Sequence, residues 1–350
     1  MSLRRKFPLY LAAVLALSSA AILMLSTVSS RAQGKTDDFY DGRVLRVIVG
    51  FPPGGGFDLY ARLLAEYLPK YLPGTPKIVV ENMPGATTAR AAGYIYSVAP
   101  QDGTVLGIVH QQLLANQVLG VQAGDFDVVK FNWIGRAGMQ LDAGVAWYAS
   151  GVKSIEDAKS KAIAFGATTQ TAATAMIPNA LNALVGTKFK VVVGYQGSAD
   201  LNLAMERGEI QGYATGLWTD FAANHSEWLA DHKVAPLFQT AMQRNSLLPN
   251  VPTLPELTQN PDDRQIFALL ASTEEMGRAF IAGPGVPQER VQLLRKAFAR
   301  MMQDSQLLAD AKSQQLEINA MGGNELQAYV TKVGEFPAAL TGRAKSILLP

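Results

Sequence analysis

The chain contains no cysteine among its 350 residues. This absence excludes disulfides, a cysteine-linked lipid anchor, thiolate zinc sites and cysteine nucleophiles. A chain of this length without disulfides has to be stabilised by hydrophobic cores, and it is long enough for two domains of ordinary size.

Charge and histidine are also sparse. Charged residues make up 17% of the chain and the formal net charge is +2, so a strongly basic surface for nucleic acid is not expected. The three histidines, His110, His225 and His232, lack the sequence context of a catalytic triad, and no G-x-S-x-G elbow is present. We therefore expect no catalytic residue, no metal and no cofactor. An exported α/β hydrolase or transferase acting on a carboxylate stays the alternative.

A long apolar run occurs only at the N-terminus. Arg4, Arg5 and Lys6 precede an apolar stretch, residues 9–28, and Ser30 and Ala32 place small residues where a signal peptidase cleaves. This pattern predicts a signal peptide over residues 1–32 and export, and an exported chain without disulfides is typical of the bacterial periplasm. The alternative is an uncleaved anchor, because residues 7–28 are long enough to span a bilayer.

Beyond the signal, apolar runs predict strands, among them 44–51, 144–148 and 162–167. They alternate with helical patterns such as 86–97 and 155–161, the second with Ser154 as its N-cap, and the alternation restarts near residue 132. Such βαβ units predict the α/β class, with parallel sheets covered by helices. The C-terminal part is poor in strands, so we expect it to complete the first domain. The predicted lobes are 42–138 plus 263–350, and 139–262, with a ligand cleft between them.

Four loops rich in small or hydroxyl residues follow predicted strands: 52–58, 86–88, 168–171 and 196–199. Their backbone N–H groups and the following helix dipoles favour an anion. The loop Pro52-Pro53-Gly54-Gly55-Gly56-Phe57-Asp58 is not G-x-G-x-x-G, and no Gly-Lys-Ser/Thr follows it, so a nucleotide phosphate is disfavoured. We expect a carboxylate instead.

Three further residues have two interpretations each. His110, followed by Gln111, ends a predicted strand and either contacts ligand or shapes the loop. Trp218 either forms part of the cleft wall or packs in a hydrophobic core. Asp58 either complements a helix dipole or contacts ligand, and an acid beside an anion site favours the first role.

Short motifs in order along the chain resemble the receptors of tripartite tricarboxylate transporters, the Bug family. They are FPPGGGFD with AR at 61–62, VENMPGA at 80–86, APQDG at 99–103, VGYQGS at 193–198 and LPNVPTLPE at 248–256. The resemblance implies a periplasmic solute-binding protein with a type II, two-lobe Venus-flytrap fold that delivers an organic acid to permease subunits in the membrane. A ligand-sensing receptor for a membrane signalling partner has the same pattern.

The resemblance also implies that the first glycine loop and loops of the second lobe hold the ligand's carboxylate. Phe57 stands where the family usually has threonine, and Gly194 and Gln196 replace proline and lysine. These departures favour a larger or more apolar acid, whether a mono-, di- or aromatic carboxylate. The predicted ligand-binding residues are Pro53, Gly54, Gly55, Gly56, Phe57, Asp58, Ala86, His110, Gln111, Thr169, Gln170, Gln196, Gly197, Ser198 and Trp218.

Overall fold

The computed structural model describes residues 39–350, so the predicted signal peptide lies outside the described residues. Within residues 39–350, no helix has both the length and the apolar character that crossing a membrane requires. The strands of this part are β1 Val44–Val49, β2 Lys77–Asn82, β3 Val105–Ile108, β4 Asn132–Arg136, β5 Asp142–Trp147, β6 Ile163–Ala167, β7 Phe189–Val193, β8 Gly212–Leu217, β9 Val234–Gln239, β10 Ala279–Ala282 and β11 Met321–Gly322.

Helices cover both sheets that these strands form. They are α1 Gly56–Tyr67, α2 Ala89–Ser97, α3 Gln112–Val118, α4 Ile155–Ser160, α5 Ala173–Val185, α6 Ser198–Glu206, α7 Trp218–Asn224, α8 Ser226–Ala230, α9 Pro261–Ser272, α10 Gln288–Met301, α11 Ser305–Ser313, α12 Gly323–Gly334 and α13 Ala338–Leu348.

The two sheets have the strand orders β11-β4-β10-β3-β1-β2 and β7-β6-β8-β5-β9. This architecture confirms the predicted α/β class. The expectation of purely parallel sheets was wrong, because β10 is antiparallel to β3 and β4, and β5 is antiparallel to β8 and β9. A buried strand carries the same continuous apolar run in either direction, so the pattern does not report strand direction.

The first sheet is buried on both faces. In β1, Val47 packs into the core that holds α1 and α10, whereas its neighbour Ile48 packs into the core that holds α2 and α12. Successive side chains of a strand point to opposite faces, which is why an unbroken apolar run is needed here.

The second sheet is also covered on both faces. One core contains side chains of α5, α9 and α13, and the other contains side chains of α6 and α8. Helices α9 and α13 therefore pack with the second sheet, although the predicted boundary at residue 262 assigned nearly all of them to the first lobe. The lobe boundaries stay a prediction.

Local signals explain several element starts. Ser154 Oγ accepts a hydrogen bond from the Asp157 N–H at 3.1 Å, which is the N-cap that the sequence predicted for α4. The helix predicted from residue 86 begins only at Ala89, because Ala86, Thr87 and Thr88 have φ values of 47°, 47° and 70°. Left-handed backbone of this kind cannot continue a right-handed helix.

Candidate functional site

A cavity of about 430 Å³ opens where strands of both sheets end. Phe51 and His110 reach it from the first sheet, and Thr168, Tyr195 and Thr215 reach it from the second. The other residues that line it are Thr87, Gln112, Gln140, Asp142, Thr169, Ala172, Ala173, Thr174, Gln196, Gly197, Ser198, Leu201 and Glu274. We call it the central cavity.

An adjoining depression of about 570 Å³ lies between the glycine loop and the second sheet's 196–200 loop. It shares Phe51 and the 196–198 segment with the central cavity, so the two form one cleft. Its remaining lining residues are Pro52, Pro53, Gly55, Gly56, Phe57, Ala199 and Asp200.

The helix starts at this cleft have no side-chain acceptor at the N-cap. The N-cap residues of α1, α5 and α6 are Gly55, Ala172 and Gly197, and all three line the cleft. The first N–H groups of a helix have no partner within it, and they carry the positive end of the helix dipole. Among the described helices, α4, α9 and α11 are capped by the side chains of Ser154, Asn260 and Asp304, whereas the helices away from the cleft such as α10 and α12 also lack a side-chain cap. The cleft is therefore lined by helix ends that suit an anion.

Asp58 organises the glycine loop. The side chain is 1% exposed and accepts hydrogen bonds from the Gly54 N–H at 2.9 Å, from Asn82 at 2.9 Å and from Arg62 at 2.8 Å. Burial alone raises the pKa of Asp58, but these donors together hold the pKa below its usual value. Asp58 lines neither part of the cleft, so its contacts are those of the structural interpretation.

The second sheet repeats this arrangement. The Gln196 N–H donates to Asp200 Oδ2 at 3.0 Å, just as the Gly54 N–H donates to Asp58 Oδ2. In both loops the aspartate lies four residues after the donor and in the first turn of the helix. The two loops therefore present their helix starts to the cleft in the same way.

The strained segment 86–88 forms part of the cavity wall. Non-glycine residues rarely adopt positive φ, and such strain persists only where surrounding structure holds it. Thr87 lines the central cavity, while Thr88 is buried and its hydroxyl accepts a hydrogen bond from the His110 N–H at 3.0 Å. A Cβ on Gly50 would lie 2.4 Å from Thr88 Cβ, so this close approach requires glycine.

His110 is a neutral side chain of the cavity wall. Its Nδ1 accepts a hydrogen bond from the Gln112 N–H at 3.0 Å, which places the ring proton on Nε2. Burial, and then the positive charge of Arg278, lower the pKa of His110 to about 4. His110 therefore offers a hydrogen-bond donor, and no charge, at neutral pH.

Two aromatic rings and an arginine side chain pack together at the glycine loop. Phe57 stacks on Phe51 with the ring centroids 4.4 Å apart, and the Arg278 guanidinium lies 4.0 Å from the Phe57 ring centroid. Arg278 is 7% exposed, and burial lowers its pKa. Phe57 is thus mainly a packing residue, and Phe51 is the aromatic side chain that reaches both parts of the cleft.

Two buried acids line the central cavity. Asp142 and Glu274 are each 3% exposed. Burial raises the pKa of Asp142 to about 6, and burial together with the charge of Asp142 raises the pKa of Glu274 well above its usual value.

Six predicted residues do not line the cleft: Gly54, Asp58, Ala86, Gln111, Gln170 and Trp218. The Gln111 side chain is buried and donates to Glu274 Oε2 at 3.0 Å, so it contacts the cavity wall from behind. Trp218 packs edge-on against Phe221 beside the second sheet's core. Gln170 is exposed next to Thr169, which does line the cavity.

Sequence reasoning missed Asp142, Glu274 and Arg278. Asp142 begins a strand that the pattern had placed two residues later, and Glu274 lies 132 residues further along the chain. Only the tertiary fold brings these groups together. Phe51 and Tyr195 could have been found, because they flank the predicted loops directly.

A larger cavity of about 760 Å³ lies behind this wall and shares Gln140 and Glu274 with the central cavity. None of the predicted ligand-binding residues lines it. Glutamates 274, 275, 317 and 335 outnumber its two cationic lining residues, Arg244 and Lys332, so it suits an anion poorly. We therefore place the candidate site in the cleft.

Comparisons with known proteins fit this geometry. No family model matches the chain. A curated relative from Cupriavidus necator, described as a UPF0065 protein in the gbd 5′ region, is 25% identical over 298 residues, which is 81% of this chain and 82% of the relative.

Solved structures resemble the whole described fold. A TctC solute-binding protein from Polaromonas has a TM-score of 0.64 at 20% identity, with 88% of this chain and 99% of that chain covered. The periplasmic binding protein BugD has a TM-score of 0.62 at 21% identity, covering 87% and 98%. A protein of R. palustris with adipate has a TM-score of 0.62 at 19% identity, covering 88% and 97%. The chain therefore has the fold of the TctC and BugD solute-binding proteins, which is the fold that the resemblance drawn from its motifs implied.

Proposed function

We propose that this protein is an exported, periplasmic solute-binding protein. It captures an organic carboxylate in the cleft and delivers it to the permease of a tripartite tricarboxylate-type transporter in the membrane. The observation that carries this proposal is the convergence of three helix starts, at Gly55, Ala172 and Gly197, on one cleft. Such ends stabilise a carboxylate without a cationic side chain.

Binding across two sheets suits capture. The depression next to the glycine loop is lined from the first sheet's side by Gly55 and Gly56, and from the second sheet's side by Gly197 and Ser198. Micromolar affinity requires about 8 kcal/mol, and a charge-assisted hydrogen bond contributes about 1.5–3 kcal/mol. Donors from both sides together are therefore needed, and two lobes that close on the ligand would supply them.

The solved relatives support the ligand class. One structural neighbour with the same fold was solved with adipate, and others are described as solute-binding and periplasmic binding proteins. The exported-enzyme alternative predicts turnover of the bound acid, which incubation of ligand with the protein and analysis by mass spectrometry would detect. A signalling receptor would bind the same acid, but deletion of its gene would leave uptake of the acid intact.

A thermal-shift screen of organic acids tests the proposal. A ligand at a hundredfold excess over its Kd adds about 2.7 kcal/mol, and for a chain of this size we expect a rise in Tm of about 5 °C. A screen in which mono-, di- and aromatic carboxylates give no shift while neutral sugars do would overturn the proposal.

The matched variants Gly55→Val and Gly322→Val locate the site. Both glycines are N-caps with extended backbone, and a Cβ at either position meets no atom within 4 Å in the described structure. We expect Gly55→Val, at the cleft, to remove the ligand-induced shift, and Gly322→Val, at the start of α12, to retain it. Equal shifts in both variants would remove the glycine loop from the site.

A further inference from the structure

The central cavity is lined by two buried acids that share one buried cation. Asp142 and Glu274 are each 3% exposed, and the charge that acts on both of them is that of Arg278, which is 7% exposed. We propose that a ligand carboxylate enters this cavity together with one proton, which Asp142 and Glu274 take up from solvent, so that both acids are neutral in the complex. The proton binds to a carboxyl oxygen, and no other bond forms or breaks. This inference rests on the proposed function and concerns the regulation of the same site.

Each acid keeps one oxygen that can hold a proton. Asp142 Oδ1 accepts a hydrogen bond from Gln140 Nε2 at 2.8 Å, and Glu274 Oε2 accepts one from Gln111 Nε2 at 3.0 Å. Within residues 39–350, no group donates a hydrogen bond to Asp142 Oδ2 or to Glu274 Oε1. A protonated carboxyl has an O–H donor beside its acceptor oxygen. Protonation therefore turns each of these cavity-lining acids into a donor for an anion and leaves its bond from glutamine in place.

Arg278 can balance one negative charge and no more. Its guanidinium lies over the Phe57 ring, and a Cβ on Gly56 would lie 3.5 Å from its Nη2, so the cation is next to the first residue of α1. In the described part of the chain it forms no salt bridge within 4.0 Å, and its Nη1 is buried without a hydrogen-bond partner. Unbalanced charge is costly in a buried site. If the single positive charge balances the ligand's carboxylate, both acids have to be neutral.

The ligand-free protein is already close to this protonation state. Burial raises the pKa of Asp142 to about 6, and burial together with the charge of Asp142 raises the pKa of Glu274 well above its usual value. At pH 7.5 Asp142 is therefore ionised in the free protein. A bound carboxylate is a further like charge, which raises the pKa of both acids again. The complex then holds more protons than the free protein, so affinity falls as the pH rises above about 6.

The other titratable groups around the two acids do not account for a proton taken up at pH 7.5. His110 lines the same cavity, but burial and Arg278 lower its pKa to about 4. Tyr213 of β8 and Tyr60 of α1 stay protonated, because burial raises the pKa of both phenols. Glu275 acts on Glu274, but it does not line the central cavity, and its Oε2 lies 3.5 Å from Nη1 of Arg136 in a salt bridge.

Calorimetric titration counts the proton. The probes are the saturated monoacids and diacids of four to six carbons and benzoate, all fully ionised at pH 7.5. Each is titrated in phosphate, HEPES and Tris, whose ionisation enthalpies differ, so the slope of the observed enthalpy against the ionisation enthalpy gives the number of protons taken up. For the probes that bind, we expect an uptake of about one proton and an affinity that falls about tenfold per unit between pH 7 and 9. Binding without proton uptake would overturn the inference while supporting the proposed function. A set in which nothing binds would contradict both.

Substitutions assign the proton to these side chains. Asparagine resembles a protonated aspartate in having one acceptor oxygen and a donor. We therefore expect Asp142→Asn to bind the same probe about thirtyfold more tightly than the wild type at pH 7.5, which is about 1.5 units above the pKa of Asp142, and to lose the proton uptake. Glu156→Gln, an exposed side chain of α4, serves as the matched control and should keep both wild-type values.

Thermal unfolding verifies that each variant is folded, and Glu274→Gln provides a second variant of the pair. Weaker binding by Asp142→Asn at pH 7.5 would show that the ligand uses the ionised acid and would overturn the inference. Proton uptake that persists in both Asp142→Asn and Glu274→Gln would assign the proton to another group and would overturn it as well.

Discussion

Neutralising Asp142 should stabilise the ligand-free protein at neutral and alkaline pH. Its carboxyl is 3% exposed, and burial raises its pKa from an ordinary 3.8 to about 6. Between these values the folded state binds more protons than the unfolded state, so stability falls as the pH rises through that window. Each pKa unit corresponds to about 1.4 kcal/mol, and the ionised acid therefore costs about 3 kcal/mol above pH 7.

Asp142→Asn removes this cost and can keep the hydrogen bond from Gln140, because an amide oxygen accepts as a carboxylate does. For a chain of this size, about 3 kcal/mol corresponds to a rise in Tm of ~6 °C. Removing the charge of Asp142 also relieves Glu274, whose pKa that charge raises.

Differential scanning calorimetry of the wild type and Asp142→Asn at pH 4, 6 and 8 measures the effect. The Tm difference should be near zero at pH 4, where the wild-type acid is protonated in the folded state, and largest at pH 8. A variant that is less stable at pH 8, or a Tm difference that does not change with pH, would show that the buried acid is compensated and the reasoning wrong.

Three further results follow from the cleft. Asp58→Asn should lower the free energy of unfolding by about 1–3 kcal/mol at pH 7, as measured by urea unfolding. Because the pKa of Asp58 is held below its usual value, this loss should fade only in strong acid. A loss that instead grows as the pH falls would contradict the structural role of Asp58. Phe57→Ala should lower the free energy of unfolding by about 3–5 kcal/mol, and Phe57→Leu should lower it clearly less, because the residue packs between Phe51 and Arg278. Equal losses in the two variants would contradict that packing. His110 should stay neutral down to about pH 5 in an NMR titration, since its pKa is lowered to about 4, and a midpoint near the usual value would refute its burial against Arg278.

The sequence predicted those parts of the fold that depend on local pattern. Apolar runs located β1 and β6, and Ser154 marked the start of α4. Strand β9 was missed because Pro236 interrupts its pattern; the strand lies at the edge of its sheet, where a proline is tolerated.

The candidate site also contains parts that local pattern predicts and parts that it does not. The loops before α1 and α6 could be found because glycine clusters and helix starts are adjacent in the chain. The buried acids of the central cavity could not be found from the sequence, because Asp142 begins an apolar strand and Glu274 follows α9. Only the folded structure brings them to the same cavity. Local pattern thus locates the loops at the cleft, whereas only the tertiary fold shows which other side chains line it.

The acids of the two loops show why negative charge beside an anion site is not a contradiction. Asp58 and Asp200 each accept a hydrogen bond from a backbone N–H before the helix, so each carboxylate is directed at its own loop. The charge of Asp58 is further neutralised by Arg62, and its side chain is buried away from the cleft. Asp142 and Glu274 each accept one side-chain hydrogen bond, from Gln140 and from Gln111, and neither has a salt-bridge partner within 4.0 Å among residues 39–350. The surroundings of each carboxyl, and not the residue type, therefore decide how far its charge is compensated within the protein.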